Sequence, residues 1–172
     1  MVICHQDTRG HPVVLPGNRP RLLSEKQNDG YGGIALVSIL MGLKGSGKTK
    51  RLVEMVREAV KEETGDVVVF EKERKLTFDI PYQARLVEAG VYDIGSYEFL
   101  KGLICGVHAG NYDITHFFID NFYKLVNDKN TDALIAFITW LDKFSEAEHI
   151  SFVLSITSDP EFAPEFLRKY MI

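Results

Sequence analysis

The run Gly42-Leu43-Lys44-Gly45-Ser46-Gly47-Lys48-Thr49 matches the pattern G-x-x-x-x-G-K-[ST] at every fixed position. The pattern constrains the fold because it needs particular flanks. A strand should precede the loop, and a helix should follow it. Ile34-Ala35-Leu36-Val37-Ser38-Ile39-Leu40-Met41 is a short apolar run and reads as a strand buried on both faces. After the loop, Leu52, Val53, Met55, Val56, Ala59 and Val60 recur at helical spacing. Lys50, Arg51, Glu54, Arg57, Glu58, Lys61 and Glu62 fill the opposite face, and Gly65-Asp66 closes the helix.

The residue types in the loop point to anion binding. Successive backbone N–H groups in a glycine-rich turn form a concave nest for phosphate. The helix N-terminus behind it adds positive potential. Gly42, Leu43, Lys44, Gly45, Ser46, Gly47, Lys48, Thr49 and Lys50 are therefore the candidate nucleotide-binding residues. Lys48 supplies a cation for the β- and γ-phosphates and is a catalytic candidate. The Thr49 hydroxyl is a hard oxygen donor of the kind Mg²⁺ takes.

A second stretch, Thr115-His116-Phe117-Phe118-Ile119-Asp120, is an apolar strand ending in a carboxylate. Asp120 at such a strand end pairs with Thr49 as a candidate Mg²⁺ ligand. Asn121 follows it and is the second catalytic candidate. An amide orients a water but takes no proton at neutral pH. Glu71 and Asp93, both read at strand ends, are the alternatives for a base.

The rest of the chain alternates strands and helices, which implies a parallel sheet with right-handed crossovers. Val67-Val68-Val69-Phe70 reads as the second strand, and Glu71-Lys72-Glu73-Arg74-Lys75 as a solvated loop or a ligand-facing edge. Leu76–Ile80 alternates and reads as a short strand stopped by Pro81. Residues 84–94 read as a strand, or as a short helix with a strand, the strand being placed around 90–94. Ser96 caps a helix that runs to about His108, where the histidine reads as a surface residue suited to a helix end. Asn130 caps a helix over 131–147 in which Trp140 belongs to the core. Ile150–Thr157 is the last strand, and a helix follows from Glu161 to Tyr170. Ser155, Thr157 and Ser158 stand where they either sense a γ-phosphate or serve turn and cap chemistry.

The net charge of −4 gives no electrostatic case for nucleic acid or an anionic membrane. No apolar run reaches the roughly 18 residues of a membrane-spanning helix. Cys4 and Cys105 form no disulfide framework and suit a reducing, cytoplasmic setting. Residues 1–33, with Pro12, Pro16 and Pro20 and no amphipathic period, read as an irregular or disordered tail ahead of a domain over 34–172. Cys4, His5 and His11 within that tail fit no zinc spacing.

Gly42–Thr49 together with Phe117–Asp120 resembles the P-loop NTPase superfamily over roughly residues 34–160. The resemblance implies a three-layer α/β fold with a mostly parallel central sheet of about five strands flanked by helices. The order of pieces looks most like the branch with an additional strand between the P-loop strand and the aspartate strand, and among small architectures like the thymidine kinase core. Val67–Phe70, the region near Val91, and Ile119-Asp120 are the matching pieces. Two departures stand out. Asn121 occupies the position where that branch commonly has a glutamate, and no cysteine follows Cys105 to build the zinc-binding lasso of thymidine kinases. The resemblance implies ATP and Mg²⁺ as ligands. It also leaves room for an arginine, Arg74 or one from a protein partner or second copy, to complete the site. Asn127-Asp128-Lys129-Asn130 is not a guanine-recognition motif, so ATP is the expected triphosphate. Three functions follow as expectations: slow ATP hydrolysis, γ-phosphoryl transfer to a small nucleoside-type acceptor, or a nucleotide-responsive interaction module without turnover.

Overall fold

Short runs of β-branched and aromatic residues form the centre of the molecule. The computed structural model describes residues 36–62 and 65–172. The irregular tail expected over 1–33, with its Cys4, His5 and His11, lies outside the described residues, as do Ile34 and Ala35. Five strands form one sheet: β1 Val37–Gly42, β2 Asp66–Glu71, β3 Arg85–Glu88, β4 Ile114–Ile119 and β5 Ser151–Thr157. Every pairing is parallel, and the order across the sheet is β1-β5-β4-β2-β3. β5 thus lies between β1 and β4. Among the described residues the α-helices are α1 Lys48–Glu62, α2 Tyr97–Ala109, α3 Phe122–Val126, α4 Thr131–Glu148 and α5 Glu165–Arg168.

The strands are buried on both faces, and their period of two sorts the core into two layers. Val68, Phe70, Phe117, Ile119, Phe152 and Leu154 face a core built with α2 and α4 through Leu100, Ile104, Phe137 and Leu141. Val67, Val69, Phe118 and Val153 face the other way, onto Leu52, Val53, Val56 and Ala59 of α1. The sheet is therefore flanked by helices on both sides. Ser96 accepts from Phe99 N at 3.1 Å, and Asn130 accepts from Ala133 N at 2.9 Å, so both expected caps are made. No helix among the described residues is long and apolar enough to cross a membrane.

Four local expectations are corrected. Leu76–Ile80 is a helical turn, not a strand: the Ile80 and Asp79 amides both donate to Leu76 O. The apparent alternation arises because Leu76 and Ile80, four apart, both pack inward while Phe78 is 99% exposed. The strand expected around 90–94 falls earlier, at Arg85–Glu88, and Ala89–Tyr92 is a 3-10 helix. Gly90 there approaches the Lys72 carbonyl so closely that a Cβ would lie 2.0 Å from the oxygen. The helix expected over 161–170 is two pieces, a 3-10 turn at Pro160–Phe162 and α5, because Pro164 offers no N–H to continue the first. His108 is not a surface residue. It is only 8% exposed, packed edge-on against Tyr112 and Phe144, with Nε2 3.1 Å from Glu148 Oε2.

Candidate functional site

The site forms where the carboxyl ends of the strands meet the start of α1. The loop from Gly42 to Lys48 makes a tight turn in which Gly45 and Gly47 hold φ of +86° and +87°. An L side chain is strained there, which explains why glycine occupies both positions. At Gly42 the constraint is space: a Cβ would lie 2.5 Å from Ser46 Oγ. Residues 43 to 47 are exposed, so the concave face of the turn is open to an incoming ligand. Lys48 Nζ donates to Leu43 O at 2.8 Å and to Ser46 Oγ at 3.4 Å. Burial lowers the Lys48 pKa, while the Asp120 carboxylate pulls it the other way.

Thr49 and Asp120, 71 residues apart, meet at the head of α1: Thr49 Oγ1 donates to Asp120 Oδ1 at 3.1 Å. Asp120 is 5% exposed and both of its oxygens are held. Ser155 Oγ donates to Oδ1 at 2.7 Å, and Asn121 Nδ2 donates to Oδ2 at 2.6 Å. Ser155 Oγ in turn accepts from Asn121 N at 2.8 Å. Asn121 itself sits at φ 49° as the residue before α3, a left-handed position that asparagine tolerates. Thr49 and Asp120 offer one hydroxyl and one carboxylate, both hard oxygen donors. The described residues contain no group of three or more His, Cys, Asp or Glu placed to hold a metal. This sparse donor set fits Mg²⁺, which commonly takes one or two protein oxygens and completes its shell from phosphates and water.

The sheet register explains the convergence. Phe70 is level with Ile119, and Ile119 with Leu154. One residue further on, Glu71, Asp120 and Ser155 therefore lie in a row across neighbouring strands, on the face that α1 covers. Glu71 is 2% exposed. Its Oε2 accepts from Lys75 N and from Leu76 N, each at 3.0 Å. Its Oε1 is buried and has no hydrogen-bond partner. Glu71, Asp120 and Asn121 share a small cleft that opens past Lys72 and Lys124.

Lys48, Thr49, Asp120 and Asn121 are thus brought together, with Glu71 and Ser155 beside Asp120, while Asp93 and Arg74 are not among them. Asp93 is exposed on the turn after the 3-10 helix and does not end a strand, since β3 stops at Glu88. Arg74 pairs with Glu88 on the surface. Lys72 to Lys75 are exposed as a solvated loop, with Glu73 and Lys75 paired to each other. Ser155, read as a γ-phosphate sensor or as turn and cap chemistry, bonds Asp120 and Asn121, a positioning role that neither reading named. A hydroxyl in the middle of an apolar strand was the available signal. The chain matches no protein-family model and no curated protein sequence.

Proposed function

We propose that the chain is a P-loop NTPase of three-layer fold that binds Mg²⁺-ATP at Gly42–Lys50 and hydrolyses it slowly. The observation that carries this reading is the meeting of Thr49 Oγ1 and Asp120 Oδ1 at the head of α1, directly behind a loop with two glycines at positive φ. The strand order supports it further: β5 lies between β1, which leads into the glycine-rich loop, and β4, which ends at Asp120, an arrangement compatible with a branch that has a strand between those two.

In this reading the amides of Leu43 to Thr49 cradle the β- and γ-phosphates. Lys48 exchanges its contacts with Leu43 O and Ser46 Oγ for phosphate oxygens. Thr49 and Asp120 hold Mg²⁺, which when bound offsets negative charge on the phosphates. Asn121 orients a water, and turnover stays slow until a partner or a second copy supplies an arginine. Phosphate release from Mg²⁺-ATP tests the proposal. The expected result is slow release that disappears in Lys48→Ala. Equal release by both proteins contradicts it.

One observation favours a kinase as a second reading. A groove of about 290 Å³ runs along α1 from Thr49 and Lys50 past Val53 and Arg57 to Leu76 and Asp79. It approaches the size of small-ligand sites and is bordered by the 76–80 turn, the segment left to build an acceptor pocket. Turnover that requires an added nucleoside would favour this reading over hydrolysis.

A further inference from the structure

The shared cleft beside Asp120 contains a carboxylate oxygen that the fold leaves deliberately unmatched. Glu71 is nearly fully buried, yet only Oε2 is satisfied, by the amides of Lys75 and Leu76. Those two bonds fix the plane of the carboxylate and leave Oε1 without a donor. A buried acceptor without a donor is destabilising, so a water or hydroxyl brought to Oε1 recovers that loss. The cavity at this point has a volume of about 20 Å³. That is room for one water.

We infer that Glu71 is the catalytic base of the hydrolysis, holding and deprotonating the attacking water in place of the glutamate that Asn121 replaces. The inference rests on the ATPase reading above and deepens it, because it selects water over an organic acceptor. In the step, one O–H proton of the water passes to Glu71 Oε1 as the water oxygen bonds to the γ-phosphorus. The bond between that phosphorus and the β,γ-bridging oxygen breaks, and ADP leaves with the electron pair. The proton on Glu71 then returns to the phosphate product or to solvent. Asn121 Nδ2 is committed to Asp120 Oδ2, so its side chain serves orientation. Asp93, the other carboxylate considered for this duty, is exposed and takes no part.

Glu71→Gln keeps an oxygen for the amides of Lys75 and Leu76 but offers no base. Mg²⁺-ATP binding by calorimetry and phosphate release are measured together for wild type, Glu71→Gln and Glu71→Asp. The expected result is wild-type affinity in Glu71→Gln with release lowered by about 10²–10⁴-fold, and an intermediate loss in Glu71→Asp, whose shorter chain withdraws the oxygen. Glu71→Gln releasing phosphate at the wild-type rate overturns the base assignment and leaves the ATPase reading standing. If Glu71→Gln fails to fold, Glu71→Asp at the wild-type rate overturns it. Wild type that binds Mg²⁺-ATP without turnover also overturns it while sparing the binding reading. Wild type that binds no Mg²⁺-ATP overturns both.

Discussion

Glu71 is the residue whose environment differs most from that of an ordinary surface carboxylate. Burial raises its pKa above the usual value of 4.5. The hydrogen bonds from Leu76 and Lys75 oppose the rise, and the Asp120 and Glu88 carboxylates reinforce it. The folded state therefore holds the Glu71 proton more tightly than the unfolded chain does. Stability from this group is complete below about pH 4.5 and is lost as pH rises through the folded-state pKa. Glu71→Gln removes that loss. In thermal unfolding across pH, the variant is expected to melt above wild type at pH 7 to 8, with the two curves converging near pH 4. A constant offset across the range would contradict this account. The same residue shows what the sequence leaves unstated. Glu71 stands at the head of a run of five charged residues; its place at the end of β2 is legible from the apolar run before it, whereas its burial among the exposed neighbours Lys72, Glu73, Arg74 and Lys75 is not. Its burial comes from the register of β2 against β4, a long-range fact.

At the scale of elements, legibility followed local chemistry. β1, α1 and β2 were readable because their apolar spacing is strong, and α2 and α4 because Ser96 and Asn130 cap them as their side chains dictate. The segment from 76 to 94 was misread because its structure depends on tertiary contacts. β3 pairs with β2 alone and is only half-buried, so its pattern is weak. The β-branched and aromatic run at Val91-Tyr92 suggests a strand, yet both side chains are exposed on the 3-10 helix. Gly90 permits that helix to pack against the start of the 72–75 loop, where a Cβ would meet the Lys72 backbone oxygen at 2.0 Å. Gly90→Ala is therefore expected to destabilise the fold by about 1–3 kcal/mol, read as a lower midpoint in urea. Because that loop supplies the amides that hold Glu71, the variant is also expected to slow phosphate release. An unchanged midpoint would show that the backbone yields freely at this point.

Across the whole molecule, the candidate site is assembled by strand order. Gly42, Ser155, Asp120 and Glu71 come from β1, β5, the end of β4 and β2, which are consecutive across the sheet although widely separated in the chain. The Gly42–Thr49 motif and the aspartate at a strand end were legible without this order, since each carries its own local signature. The bond from Ser155 to Asp120 and the cleft at Glu71 were not, because each depends on which strands are neighbours. Parallel order also puts all five carboxyl ends on one edge of the sheet, the edge where β1 leads into α1 and where open α/β sheets bind ligands.

Calorimetric titration of Mg²⁺-ATP into wild type and Lys48→Ala tests the central claim most directly, because it reads phosphate binding without requiring turnover. The account predicts saturable binding at one site in the wild type, weakened at least about tenfold by removal of a charge-assisted phosphate contact, with both proteins folded. Binding unchanged by the substitution, or no binding by folded wild type, would contradict it.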